Sequence, residues 1–416
     1  MRKYRLLSAG LYVLALIIGL LAAPAPARAE AENLTGRCSF RVNYPGGERS
    51  ADKAGFRDGQ YTTGWKSKSM EHPYVTITSP SPVYGLYLCF SHMPESYEIQ
   101  VKTEQGWTRA YAGRTDFHHV FYPMEGAQDI RIYADGEGKC VLGFNELFLF
   151  GEGEIPSWVQ RWEPTEEKAD ILFLMGHQDD ELLFLGGAIP TYDIEKGKRV
   201  IVGYLTCCSP VRRSEALNGL WSMGVRNYPI FGPFEDKPST KLKTAYTNVD
   251  PKNGEAMVQG WVAELYRKYK PEVVVTHDLN GEYGHGQHKM IADACVKAWS
   301  LSGDAENFPE SAKAYGVWQV KKLYVHLYGD ESNQTRFNWE QPLASLGGKT
   351  GTELAVAAYK LHRTQMSLTV TVGGKKQVLS VQVTGGKSFP NTVFGLYAST
   401  VGDDVAHDDF LEHIPE

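Results

Sequence analysis

The 416-residue sequence predicts a multidomain chain, in which an all-β jelly-roll sandwich is followed by an α/β domain. From about residue 34 to residue 155, short alternating runs such as "YVTITS" and "DIRIYA" are separated by turn residues, as is typical of a sandwich or jelly roll. From Ile171 onward, continuous β-branched runs such as "KRVIVGYLT" alternate with amphipathic stretches. This pattern predicts a parallel sheet covered by helices on both faces.

The first residues have the composition of a secretory signal peptide. A basic start and a long apolar run precede small residues and an Ala-x-Ala site at Ala27–Ala29. We therefore expect residues 1–29 to be removed and the protein to be secreted or extracytoplasmic, with no stable membrane anchor after signal cleavage. An uncleaved anchor is the alternative, because the apolar run is long; the Pro/Ala-rich stretch after it favours cleavage.

The same patterns divide the rest of the chain. We expect the sandwich to span residues 34–155 and the α/β domain residues 168–365, with a β-hairpin and tail, residues 366–416, packed on the α/β domain. Cys38 and Cys140 lie near the two ends of the sandwich, which allows one disulfide between them. The formal net charge of −6 is mild and predicts neither a nucleic-acid partner nor attraction to an anionic membrane.

Polar and charged residues interrupt apolar sequence just after the first predicted strand of the α/β domain. In "GHQDDELLFLGG", His177 and Asp180 are three residues apart and would face one point if a helix begins there. Asp179, between them, would point elsewhere and stay free to act as a base. A helix-capping aspartate is the structural alternative, but capping does not account for a histidine and a run of acids within an apolar segment.

A second polar cluster follows another predicted buried strand. The stretch "THDLNGEYGHGQHKM" contains His277, His285 and His288. A catalytic metal site needs about three protein ligands and one open position, and His177, Asp180 and one of the later histidines would meet that count. Zn²⁺ suits a mixed nitrogen and oxygen set, with iron or another divalent metal as the alternative.

These two motifs, in this order, resemble those of the PIG-L/LmbE-like zinc-dependent N-deacetylases. That family carries Ala-His-Pro-Asp-Asp-Glu and later Gly-His-x-Asp-His, which stand here as "GHQDDE" and "GHGQH". The stretch "RRSEALNGLWSMGV" is similar to the family's Arg-x-Glu helix. The resemblance covers about residues 168–329. It implies a Rossmann-like domain that removes acetyl groups from N-acetylhexosamine residues of a glycan or glycoconjugate.

The resemblance also implies a role for each matching residue. Asp179 would be the general base for a metal-activated water, and His285 would stabilise the oxyanion or assist the leaving amine. The remaining roles are zinc binding by His177, Asp180 and His288, and substrate binding by Arg213 and Tyr283.

Two residues depart from the family pattern. Gln178 replaces a proline, which should change only the stiffness of the loop. Gln287 replaces an aspartate; if that carboxylate raises the pKa of His285 in the family, its loss makes His285 harder to protonate. Two alternatives therefore stay open: a glycan-binding protein with a degenerate metal domain, and an amidase acting on another N-acyl substrate.

The first domain has motifs of its own. "GFRDGQYTTGW" and "GFNELFLFG" resemble the discoidin-type, galactose-binding-like jelly roll. Asp58, Thr63 and Glu146 match positions at which that family often holds a structural Ca²⁺ ion. The resemblance implies a sugar-binding module, and a spacer sandwich that binds nothing is the alternative.

Overall fold

The computed structural model describes residues 29–207 and 209–415. The predicted signal peptide lies outside these residues except for Ala29. None of the helices in the described part of the chain combines the length and apolar character needed to cross a membrane.

The N-terminal domain is a β-sandwich built around two long, bent strands. Its strands within the described residues are β1 (Ser39–Tyr44), β2 (Gly47–Ser50), β3 (Trp65–Lys66), β4 (Met70–Glu71), β5 (Tyr74–His92), β6 (Glu98–Thr103), β7 (Gly106–Ala112), β8 (His119–Tyr133), β9 (Lys139–Cys140) and β10 (Gly143–Phe150). The first half of β5 pairs with β1 and its second half with β10, so β5 contributes to both faces. A register shift between Thr78 and Val83, at the prolines of "SPSP", marks the bend.

The second domain contains a seven-stranded sheet with helices packed on it. Its strands are β11 (Ile171–Met175), β12 (Val200–Thr206), β13 (Ile230–Phe234), β14 (Val273–Thr276), β15 (Lys322–His326) and β16 (Gln334–Arg336), then the short pairs β17 (Pro342–Leu343) with β18 (Lys349–Thr350) and β19 (Thr369–Val372) with β20 (Lys375–Val378), and finally β21 (Val393–Ser399). The helices are α1 (Asp180–Phe184), α2 (Pro210–Ser222), α3 (Leu242–Val249), α4 (Gly254–Tyr269), α5 (Gly286–Leu301), α6 (Pro309–Tyr315) and α7 (Gly351–Tyr359).

The order of the strands in this sheet is β13-β12-β11-β14-β15-β21-β16. The first five are parallel, and β21 runs antiparallel to β15. The chain direction across the sheet reverses between β11 and β14, because β12 and β13 lie on one side of β11 while β14 and β15 lie on the other. In open sheets of this kind, ligands bind at the carboxyl ends of the strands beside such a reversal.

Local sequence explains where the site-bearing helices start. Ser209 caps α2 by accepting a hydrogen bond from the Arg212 backbone N–H at 3.3 Å, and Pro210 occupies the first turn. Thr350 and Glu353 form a capping box at the start of α7. The apolar residues of β11 are fully buried, which fixes the strand from which the first motif emerges.

The two domains share one continuous apolar core rather than meeting through a thin linker. Polar contacts cross the same boundary: the His119 ring nitrogen Nε2 lies 3.1 Å from Ser214 Oγ, and the Tyr228 hydroxyl lies 2.9 Å from His118 Nδ1. The sandwich therefore packs directly on α2 and on the segment that follows it.

The disulfide allowed by the sequence is not formed. Cys38 and Cys140 are both free thiols. Cys38 is buried, with its Sγ donating to the Leu34 carbonyl at 3.3 Å, whereas Cys140 pairs with Met70 between β9 and β4.

Candidate active site

The first motif lies at the carboxyl end of β11, beside the reversal of the sheet. Space at Gly176 is tight, since a Cβ at this position would approach His288 Cδ2 to 3.1 Å and Asp180 Oδ2 to 3.2 Å. Asp179 has a φ of 136°, which a residue with a side chain rarely adopts. Strain of this kind is maintained by the surrounding structure and is common at functional sites.

Three donor atoms from the two motifs form a nearly equilateral triangle. His177 Nδ1 is 3.2 Å from Asp180 Oδ2, Asp180 Oδ2 is 3.4 Å from His288 Nε2, and His288 Nε2 is 3.3 Å from His177 Nδ1. A tetrahedral Zn²⁺ bound at about 2.0–2.1 Å places its ligand atoms about 3.3–3.4 Å apart. The donor set and its spacing therefore fit zinc.

His277 also lies near this triangle. Its Nε2 lies 3.1 Å from Asp180 Oδ2, so Asp180, His277 and His288 form a second group with metal-ligand spacing. The Gly176 backbone nitrogen lies 3.0 Å from the same ring nitrogen. Burial lowers the pKa of His277, yet the carboxylates of Glu282 and Asp180 raise it overall to about 9. These contacts place His277 behind the donor triangle as a support for Asp180.

Glu282 connects three histidines and was missed by the sequence analysis. One of its oxygens lies 2.7 Å from His277 Nδ1 and 2.8 Å from His288 Nδ1, and the other lies 2.6 Å from His326 Nδ1. Burial opposes its ionisation, but the His277 ring and these hydrogen bonds hold the pKa of Glu282 well below its usual range. A carboxylate that accepts from a metal-ligating imidazole fixes its orientation and increases its basicity.

Asp179 faces a cation instead of the donor triangle. Its Oδ1 accepts from Arg212 Nη2 at 2.7 Å, and the carboxyl group is almost fully buried. Burial raises the pKa of Asp179 and Arg212 opposes that effect, with a net value of about 7. A buried carboxylate with a pKa near neutrality is suited to accept and return a proton.

The structure corrects the assignment of Arg213. Its guanidinium group points to the sandwich, where Nη2 donates to the carbonyls of Ser91 at 3.3 Å and Phe90 at 3.5 Å. Arg212, one residue earlier, points to the site. Consecutive helical residues point about 100° apart, so only one of two adjacent arginines can face a given point.

His285 and Tyr283 lie beside the histidines of the donor triangle. The His285 ring is centred 4.7 Å from both the His177 and the His288 rings, and the Tyr283 ring is 5.7 Å from that of His285. Burial, together with His288 and His177, lowers the pKa of His285 to about 2. His285 is therefore a neutral hydrogen-bonding group in this site.

Gln287 and Asp236 make polar contacts with the second ring nitrogen of His177, Nε2. Gln287 Oε1 lies 2.8 Å from His177 Nε2, and Gln287 Nε2 donates to the Glu235 carbonyl at 3.0 Å. Asp236 lies 3.4 Å from the same His177 nitrogen and 3.5 Å from Arg212 Nη1. Asp236 follows β13 in an irregular loop, where no motif could have indicated it.

The three residues predicted to hold calcium also come together. Thr63 Oγ1 donates to Asp58 at 2.9 Å, and the Gln60 backbone N–H lies 2.9 Å from Asp58 Oδ1 and 2.6 Å from Glu146 Oε1. Burial and the neighbouring Asp58 raise the pKa of Glu146 to about 8.

Part of the chain is similar to a known protein family. Residues 172–299 match the family model "PIG-L: GlcNAc-PI de-N-acetylase". A 1D-myo-inositol 2-acetamido-2-deoxy-alpha-D-glucopyranoside deacetylase of Frankia casuarinae is 25% identical over 186 residues, which are 37% of this chain and 57% of that protein. The chain thus spans less than two thirds of the length of this relative.

Two solved structures are also similar to parts of the chain. N,N'-diacetylchitobiose deacetylase from Pyrococcus horikoshii is 18% identical with a TM-score of 0.35, over 47% of this chain and 71% of that one. The family 32 carbohydrate-binding module of C. perfringens NanJ, in complex with galactose, is 14% identical with a TM-score of 0.24, over 29% of this chain and 99% of the module.

Proposed function

We propose that this chain, whose residues 172–299 match the PIG-L family model, is an exported zinc-dependent N-deacetylase with a Rossmann-like catalytic domain. Its substrates would be N-acetylhexosamine residues of a glycan or glycoconjugate. The observation that carries this proposal is the triangle of donor atoms from His177, Asp180 and His288, with the ionisable Asp179 beside it.

The ligand residues have a defined part in the proposed reaction. His177, Asp180 and His288 would hold the ion, which when bound polarises an acetamide carbonyl and lowers the pKa of a water molecule. Glu282 keeps the His288 ring oriented through its Nδ1–H.

Asp179 would move the proton. As general base it takes a proton from the attacking water, whose oxygen forms the new bond to the acetyl carbon. Asp179 then returns that proton to the sugar nitrogen as the carbon–nitrogen bond breaks, which releases acetate and a free amine. Arg212 holds the carboxylate in place for both transfers.

His285 and Tyr283 would stabilise the oxyanion. Hydrogen-bond donors aimed at the carbonyl oxygen stabilise the negative charge that develops there. The low pKa of His285 favours a role as a neutral hydrogen-bond donor to the oxyanion over the alternative role of protonating the leaving amine.

Acetate release tests the proposed function. The zinc-reconstituted protein is incubated with N-acetylhexosamine oligosaccharides, beside an Asp179→Asn variant that keeps the shape of the side chain. We expect release by the wild type, and about a 10²–10⁴-fold loss in the variant with zinc still bound. Loss of zinc from Asp179→Asn would show that Asp179 is a ligand rather than the base.

The same assay separates the alternatives. Release only from N-acyl amino acids or other amides would assign the site to a different amidase. Zinc binding without turnover on either panel would favour a glycan-binding protein with a degenerate metal domain.

We also propose a structural Ca²⁺ ion at Asp58, Thr63 and Glu146. The carboxyl group of the exposed Asp58 lies beside that of Glu146, which is fully buried. A bound cation would remove the cost of ionising both groups together.

A further inference from the structure

The C-terminal part of the chain has a charge distribution unlike the rest. Residues 354–402 contain no Asp or Glu, although the whole chain carries a formal charge of −6. The cationic residues in this stretch are Lys360, Arg363, Lys375, Lys376 and Lys387, and all five are exposed. The mild net charge of the chain therefore conceals a strongly basic segment.

Large apolar side chains are exposed in the same segment. Met366, Leu368, Val378 and Val381 have between 39% and 48% of their surface accessible to solvent. Lys375 and Lys376 lie between them, after the Gly373–Gly374 turn of the β19–β20 hairpin. Six exposed residues lie on the hairpin or within three residues of it, and we call this set the hairpin face: Met366, Leu368, Lys375, Lys376, Val378 and Val381.

The hairpin face lies beside the elements that carry the candidate active site. The helical turn Leu379–Thr384 packs against α1, and β19 lies against the turn Glu282–Gly284. Further along, the Phe389 ring is centred 6.3 Å from Tyr283 and 6.4 Å from Phe184. A surface that binds the hairpin face would lie close to the metal ligands.

We propose that the hairpin face docks on an anionic lipid surface. Exposed apolar side chains interleaved with lysines suit the boundary between lipid headgroups and acyl chains. Within the described residues, Lys375 and Lys376 form no ion pair, so their charges are available to lipid phosphates. The docking would be peripheral and reversible, and it does not depend on the deacetylase activity.

Two other occupants fit this surface less well. A second copy of the chain, in a symmetric contact, would bring the same lysines against each other, and like charges repel. A soluble polyanion would pair with the lysines but would leave the four apolar side chains in water.

Vesicle binding tests the proposal. The protein lacking residues 1–29, whose apolar run would itself bind lipid, is sedimented with phosphatidylcholine vesicles that contain or lack phosphatidylglycerol. We expect binding only to the phosphatidylglycerol vesicles, and its loss at high salt. Each basic residue near such a surface contributes about fivefold in partitioning, so Lys375→Ser/Lys376→Ser should bind about 25-fold more weakly.

A matched control removes two exposed lysines outside the basic segment. Lys243→Ser/Lys252→Ser, near α3, changes the net charge equally and should keep wild-type binding. An equal loss in this control would overturn the proposal, because the attraction would then be a property of total charge. The proposal would also be overturned if the wild type did not bind anionic vesicles. It would be overturned as well if the protein formed a concentration-dependent dimer that the Lys375→Ser/Lys376→Ser variant abolishes.

Discussion

A Glu282→Gln variant is expected to bind zinc about 10- to 100-fold more weakly than the wild type while keeping its fold. One Glu282 oxygen serves both His277 and His288, at 2.7 and 2.8 Å, and glutamine keeps an oxygen for this pair. The other oxygen faces His326 Nδ1 at 2.6 Å, while His326 Nε2 lies 3.1 Å from the Pro390 carbonyl. A His326 tautomer with its proton on Nε2 can donate to Pro390 and accept the new amide N–H at Nδ1, so the hydrogen bonds are kept while the negative charge is lost.

The magnitude follows from what each substitution removes. Loss of the charge alone corresponds to about 1.4–2.7 kcal/mol in zinc binding. Glu282→Ala would instead leave three buried N–H groups without an acceptor, at about 1–3 kcal/mol each. A total of about 3–9 kcal/mol approaches the whole stability of many domains, so the alanine variant should fold poorly.

Competition with a chromogenic chelator measures the zinc affinity, and thermal unfolding of the metal-free protein measures the fold. Glu272→Gln is the matched control, since Glu272 is also buried and pairs with Lys168 and Lys321 at the opposite end of β14. The control should bind zinc as the wild type does. A Glu282→Gln variant with zinc affinity within about twofold of the wild type would refute the inferred support of His288.

Three further predictions concern charge. Arg212→Ala removes the cation that lowers the pKa of Asp179, so the acidic limb of the activity profile should move to higher pH. Arg213→Ala should leave that profile unchanged and lower only the melting temperature. Identical pH profiles for the two variants would contradict the placement of Arg212 at the site. Gln287→Asp places a carboxylate among the site histidines, so the pH profile of acetate release should shift; an unchanged profile would remove the argument from Gln287. Burial raises the folded-state pKa of Glu146 from 4.5 to about 8, so without calcium its contribution to stability is fully present below about pH 4.5 and is lost as the pH rises through about 8. Calcium should restore the melting temperature at high pH, and Glu146→Gln should remove both the pH effect and the calcium effect; a melting temperature insensitive to calcium in the wild type would argue against the ion.

The sequence predicted the residues that come from strand ends. His177 and Asp180 follow β11, and His288 follows β14, its neighbour in the sheet; carboxyl ends of parallel strands meet at one edge, so these side chains were expected to converge. The alternation of apolar residues also predicted the sandwich, although "YVTITS" and "YGLYLCF" form one bent strand instead of two.

The residues that were missed depend on tertiary structure. His326 ends β15, which lies beside β14 in the sheet but follows it by two helices in the chain, so no local pattern joins His326 to Glu282. The choice between Arg212 and Arg213 depends on the rotational phase of α2, which composition does not determine. Asp236 reaches His177 from a loop without periodicity.

The position of β21 has a consequence for the order of folding. β21 lies between β15 and β16, although about 65 residues separate it from the end of β15 in the chain. Until β21 has been synthesised, the outer edge of β15 exposes unpaired backbone groups, and an open edge strand is a template for aggregation. A chain emerging from the ribosome would carry that open edge until β21 has followed β15. The strand that bears His326 is thus among the last parts of the sheet to gain both of its neighbours.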